Sequence, residues 1–213
     1  MASNVAPNAR VTDELPSVDT LWLDALQRIS SRAAHELKGA LNGVSVNLEV
    51  VRSRSERPDA PASAVAKFAT SATDQLTAVI AMTDALLTLA RPSREPVDVG
   101  LAIRRIGALL ASSARADGRT LEFEGSMDGL GTTSAPGNTA RMALAVALLA
   151  ALDASMHVVC SAAGSGEAAV LVVRIECRDG AVAPLDADAV AVAAEQGVEL
   201  HAESSAISIS FPR

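Results

Sequence analysis

Leu21–Val51 reads LWLDALQRISSRAAHELKGALNGVSVNLEVV. Within it Leu26, Ile29, Ala33, Leu37, Leu41, Val44, Leu48 and Val51 recur at steps of three and four, with one step from Leu48 to Val51 closing the series. That spacing lays one apolar stripe along a long amphipathic helix. Glu56–Ala62 (ERPDAPA) carries two prolines and predicts a turn. A second stripe follows at Val65, Phe68, Ala72, Val79, Met82, Leu86 and Leu89, interrupted by Gln75, and Pro92 and Pro96 end it. Two long helices joined by a short turn form an antiparallel hairpin with one apolar seam. Dimerisation into a four-helix bundle covers such a seam; the alternative cover is the second half of the same chain.

Beyond Pro96 the periodicity is mixed. Gly100–Ala114 predicts a helix, Arg119–Glu124 a strand, 125–137 a Gly/Ser/Thr-rich loop, and Thr139–Ala154 an Ala/Leu-rich helix. His157–Ala162 and Ala169–Cys177 are β-branched runs around a Gly-rich turn, hence a hairpin. Asp186–Gln196 predicts a short helix stopped by Gly197, and Val198–Glu203 with Ala206–Phe211 a second strand pair. The expected fold class is α+β: a long helical hairpin, then a small α/β sandwich. The expected division is a flexible leader over 1–18, the hairpin over 19–92 and the sandwich over 97–213.

Composition narrows the function. The chain has 213 residues, enough for one large or two small domains. Its apolar content is 49% but its aromatic content only 2%, which leaves few faces for stacking bases. The net charge of −7 provides no basic footprint for nucleic acid or an anionic membrane. Met142–Leu152, the longest apolar stretch, is far short of the roughly 20 residues of a spanning helix. The first residues contain no apolar core of a secretory signal, so a cytoplasmic location is expected. Cys160 and Cys177 have neither disulfide-framework nor metal-site spacing and are expected as half-buried thiols in a reducing compartment. His157 and His201 fall in predicted strands, with no spacing that suggests zinc.

The chemistry concentrates at Ala34–Asn42 (AHELKGALN). At about 100° per residue, His35 falls roughly opposite the buried stripe. Its face carries Ser31, Lys38, Gly39, Asn42 and Ser45, all small or polar. A glycine inside a helix costs about 1 kcal/mol relative to alanine, and access for a docking protein is a reason to keep one. An exposed neutral imidazole is a nucleophile toward phosphorus. Glu36 beside it can orient the ring or take a proton.

His35-Glu36-Leu37-Lys38 followed by Leu41-Asn42 resembles the phosphoacceptor box of bacterial sensor histidine kinases. The two long helices around a proline-rich turn are similar to that family's dimerisation and histidine-phosphotransfer domain. Glu95-Pro96-Val97-Asp98-Val99, a helix and Gly118-Arg119-Thr120-Leu121 resemble the entry to its ATP-binding domain, and Glu195–Leu200 resembles that domain's closing helix and strand. The departures lie in the nucleotide site. The family places asparagines on the helix matching Thr139–Ala154, but Arg141–Leu152 contains none. Its Asp-x-Gly-x-Gly loop is matched only by Arg178-Asp179-Gly180-Ala181, and Pro184–Asp188 leaves no room for its glycine-rich lid. The family's hydrolysis-assisting Thr or Asn, one turn after the histidine, is replaced by Gly39.

The resemblance therefore implies a dimeric histidine phosphotransfer protein with a degenerate ATPase-like domain. His35 is then the phosphoacceptor and Glu36 its proton partner, while Ser31, Lys38, Gly39, Asn42 and Ser45 form the docking face. The partners are response-regulator receiver domains, which supply the Mg ion, and the chain needs no cofactor of its own. Docking through Leu101 and Ile103 near the hinge is also expected. The alternatives are a non-catalytic protein that sequesters a kinase or receiver, and a divergent active kinase.

Overall fold

Ser17 starts the first helix: its hydroxyl accepts from the Thr20 amide at 3.2 Å, in the N-cap position. The computed structural model describes residues 15–57, 61–163 and 170–213. The expected leader is described only from residue 15, and the expected turn only at its flanks. Helix α1 (Val18–Ser55) has Asp19 in its first turn and Arg52 and Arg54 in its last, so its charges complement the helix dipole. Helix α2 (Ser63–Leu89) returns antiparallel. Gln75, which breaks the second stripe, sits against Gly43, where a Cβ would lie 2.3 Å from Gln75 Nε2. Asn47 Nδ2 donates to Gln75 Oε1 and to Ser71 Oγ, each at 3.1 Å. The interruption is thus a polar layer that fixes the register of the two helices.

Asp98 caps helix α3 (Val99–Ala116) by accepting from the Leu101 amide at 2.7 Å. Strand β1 (Thr120–Glu124) follows, with the Phe123 ring against Gly107 of α3. Helix α4 (Gly137–Ala154) is apolar nearly all round and correspondingly buried nearly all round. It touches α1, α3 and α5 (Ala187–Glu195), and also the strands β2 (His157–Ala163), β3 (Val170–Cys177) and β5 (Ala206–Pro212). With β4 (Glu199–Ala202) the strands make one sheet in the order β1-β2-β3-β5-β4; β1 and β2 pair parallel and the other pairs are antiparallel. Gly197, at φ +77°, ends α5 in the left-handed conformation that glycine tolerates.

The sheet is two-faced. Leu171, Val173, Ile175, Ile207, Ile209 and Phe211 alternate into the core. Arg174, pairing with Glu176 and Glu203, and Arg178, pairing with Glu124 and Glu176, lie on the solvent side. The chain is α+β, with the long helices first and the five-stranded sheet after them.

Each expected strand lies within about two residues of its place. Helix α4 starts two residues before the expected Thr139, which brings Asn138 into its first turn. Cys160 and Cys177 are buried rather than half-buried, because both side chains point from adjacent strands into the core. Ile103 is fully buried between α3 and the rest of the core, so it cannot contact a partner as expected; Leu101 is half-buried in a cleft with Leu89 and Arg141.

The first stripe has two fates. Its Ile29 and Ala33, together with Trp22 and Ala25 beside them, join one contiguous core with residues of α3, α4 and the sheet, and Leu26 and Leu37 pack half-buried against it. Farther along α1, Leu41 and Leu48 stay 48% and 53% exposed, as do Leu76, Ile80 and Leu87 along one side of α2 to similar extents. Among the described residues no helix is long and apolar enough to cross a membrane.

Candidate functional site

Helix α1 carries His35 near its middle, between Ala33, the last fully buried residue of the helix, and Leu37, which is half-buried against the core. The residue is exposed. Among the described residues nothing hydrogen-bonds or ion-pairs with its ring. An imidazole without an internal partner keeps a lone pair for an incoming electrophile. Ser31, Lys38, Gly39, Asn42 and Ser45 are all exposed as well. Ser45 Oγ donates back to the Leu41 carbonyl at 3.1 Å, which turns it onto its own helix. A Cβ built at Gly39 would meet nothing within 4 Å, so the fold itself does not require glycine there. Glu36 is half-buried, about 100° around the helix from His35, and no hydrogen bond joins the two.

Two residues that the sequence reading did not single out stand on the same face. Arg28 Nη2 reaches Asp153 Oδ2 at 2.9 Å, and Arg32 Nη2 reaches Asp153 Oδ1. Asp153 lies in the last turn of α4, so this double ion pair fastens the His35 helix to the second half of the chain. The signal was partly in the sequence: Arg28 and Arg32 precede His35 by seven and three residues, which is the same helical side. Their partner, more than 120 residues on in the chain for each, had no such signal.

Asp179 and Asp186, at the places matched to the nucleotide site's loop and lid, are engaged otherwise, as is Asn138 in the first turn of α4. Asn138 Oδ1 accepts from the Ser93 amide at 3.1 Å and its Nδ2 donates to Asp19 Oδ1 at 2.7 Å. Asp179 accepts from the Met156 and His157 amides at 3.0 and 3.3 Å and from Ser155 Oγ. The Ser155 hydroxyl above all holds that carboxyl below its usual range. Asp186 caps α5 by accepting from the Asp188 and Ala189 amides. Helix α1 crosses this side of α4 and leaves a cleft of about 220 Å³ lined by Asp24, Arg28, Val146, Asp153, Pro184 and Asp186 among others. Among the described residues no group of His, Cys, Asp and Glu is placed to hold a metal ion.

No family model matches the chain, and no curated protein matches it. Among solved structures the Acinetobacter baumannii histidine kinase AdeS is similar, at 11% identity and a TM-score of 0.43, over 84% of this chain and 97% of that one.

Proposed function

We propose that the protein is a histidine phosphotransferase of a two-component phosphorelay, with His35 as the phosphoacceptor. The observation that carries this reading is the uncommitted imidazole on an exposed helix face, with open space at Gly39 beside it. A receiver domain presents an aspartyl phosphate together with its own Mg ion. A nitrogen of the His35 ring attacks phosphorus, the P–O bond to the aspartyl carboxylate breaks, and the carboxylate leaves with the electron pair. The remaining ring proton passes to Glu36 or to water. A second receiver takes the phosphoryl group by the reverse reaction. Ser31, Lys38, Gly39, Asn42 and Ser45 form the ground on which either receiver lands.

The chain needs no nucleotide in this reading. Asp179 and Asp186 at the matching places, and Asn138 in the first turn of α4, spend their hydrogen bonds on holding the fold together. A second copy of the chain covers the exposed leucines of α1 and α2 in a four-helix bundle, and the dimer works in the cytoplasm.

Phosphoryl uptake, read as intact mass at mildly alkaline pH where phosphohistidine survives, tests the proposal. The protein and His35→Ala are incubated separately with ATP and Mg and with phosphorylated receiver domains. Uptake from a receiver that disappears in His35→Ala is the expected result. Uptake from ATP alone would make the protein a kinase. Receiver binding with no uptake from either donor would make it a sequestering partner.

A further inference from the structure

We propose that Arg32, supported by Arg28, steadies a phosphoryl group on His35, and that Asp153 restrains both arginines until that group arrives. The inference rests on the reading of His35 as phosphoacceptor. It begins with direction. Side chains on a helix lean toward its N-terminus, so the His35 ring overhangs the turn that carries Ser31 and Arg32, not the turn of Lys38 and Gly39. Arg32 lies one turn below His35 and Arg28 two turns below, within about 60° and 20° of it around the axis. Side chains three residues apart on a helix are surface neighbours. A guanidinium on Arg32 is therefore within reach of a group attached to the ring.

Asp153 has no local reason to be where it is. A carboxylate in the last turn of a helix faces the negative end of the dipole, and α4 has no basic residue in that turn to offset it. The two arginines of α1 provide the compensation. One carboxylate shared by two guanidiniums leaves these three groups with a net positive charge; Asp24 and Asp186 line the cleft with Arg28 and Asp153, and Glu36 follows His35 in sequence. All three side chains keep solvent access, with 47%, 31% and 40% exposure for Arg28, Arg32 and Asp153. Pairs that open to water exchange partners at little cost. A dianionic phosphoryl group offers a guanidinium stronger, bidentate hydrogen bonds than a shared carboxylate does.

Phosphoramidate is a small phosphoryl donor that needs no docking surface. The ring nitrogen forms the N–P bond while the P–N bond of the donor breaks. Ammonia leaves with the electron pair, and the remaining ring proton goes to water. The rate of this labelling at His35 is measured in the full chain and in Arg32→Ala, Arg32→Lys, Arg28→Ala and Asp153→Asn, each first checked for cooperative unfolding. Arg32→Ala is expected to slow labelling about two- to fivefold, the range of an exposed charge pair, with partial recovery in Arg32→Lys. Asp153→Asn releases the arginines and is expected to raise the rate by a similar factor. If the ion pair only pins the two halves together, Arg32→Ala and Asp153→Asn break the same link and move the rate in the same direction. That result, or no change in either, overturns the inference. Arg28→Ala, expected to slow labelling less, replaces Arg32→Ala if the latter does not fold. Labelling by phosphoramidate without uptake from any receiver would remove the relay and leave this inference standing; no labelling of His35 at all would remove both.

Discussion

Gly39 and Gly43 stand one turn apart on α1 and do different work. Nothing occupies the space beside Gly39, so Gly39→Ala is expected to raise stability by about 1 kcal/mol in urea denaturation. If glycine is kept there for a partner, the same variant also slows uptake from a receiver. Gly43 admits the Gln75 side chain, and alanine would push it off Asn47. The lost hydrogen bond is worth about 1 kcal/mol, so Gly43→Ala gains nothing from its better helix propensity. The sequence shows both as helix-interior glycines and cannot separate them, because the difference lies in what the neighbouring helix presents. Thiol chemistry is equally local. Burial pushes the Cys160 thiol up to about 12. At pH 8 a thiol reagent is therefore expected to leave Cys160 unmodified until denaturant is added, and mass spectrometry of the labelled protein checks this.

Elements were legible wherever one face met water and the other met the core. Strands β3 and β5 alternate residue by residue, and α3 repeats with helical period, so each lies close to its expected bounds. Helix α4 was legible by composition alone; its bounds shifted because Gly137 and Asn138 look like loop residues until the 93–97 segment packs on them. The start of β2 at His157 was legible, but not what holds it: the side chain of Asp179 gathers two amides and the Ser155 hydroxyl there. That carboxyl titrates below its ordinary value, so the stability it adds is fully present above about pH 4, the unfolded value. It is lost as pH falls through the lower, folded value. Asp179→Ala is expected to lower the melting temperature at pH 7, with the gap from the parent protein closing as the pH is brought down through that range.

For the molecule as a whole, the period of the first stripe told which face of α1 is covered but not by what. Self-association and packing on the chain's own second half both satisfy the same spacing. The structure divides the stripe: Ile29 is fully buried in a core shared with α3, α4 and the sheet, while Leu48 is left open. Ile29→Ala is expected to cost about 2–5 kcal/mol, as for other large-to-small core changes. Since the core is continuous, amide exchange in α4 and β5 should accelerate along with that in the lower part of α1. Exchange confined to the hairpin would show that the halves unfold independently. The division has a mechanical side too. With α2 alongside, the 38-residue helix α1 makes one rod of about 57 Å, gripped by the second half of the chain around and below His35 and braced farther on by α2. It is a cantilever. The phosphoacceptor sits at the point of support, where a rod moves least, and the tip, about 30 Å farther on, moves most. A tilt of a few degrees at the grip swings the tip by about 2–3 Å and hardly displaces His35. Whatever holds the far end of the hairpin can therefore be shifted while the reactive nitrogen stays still.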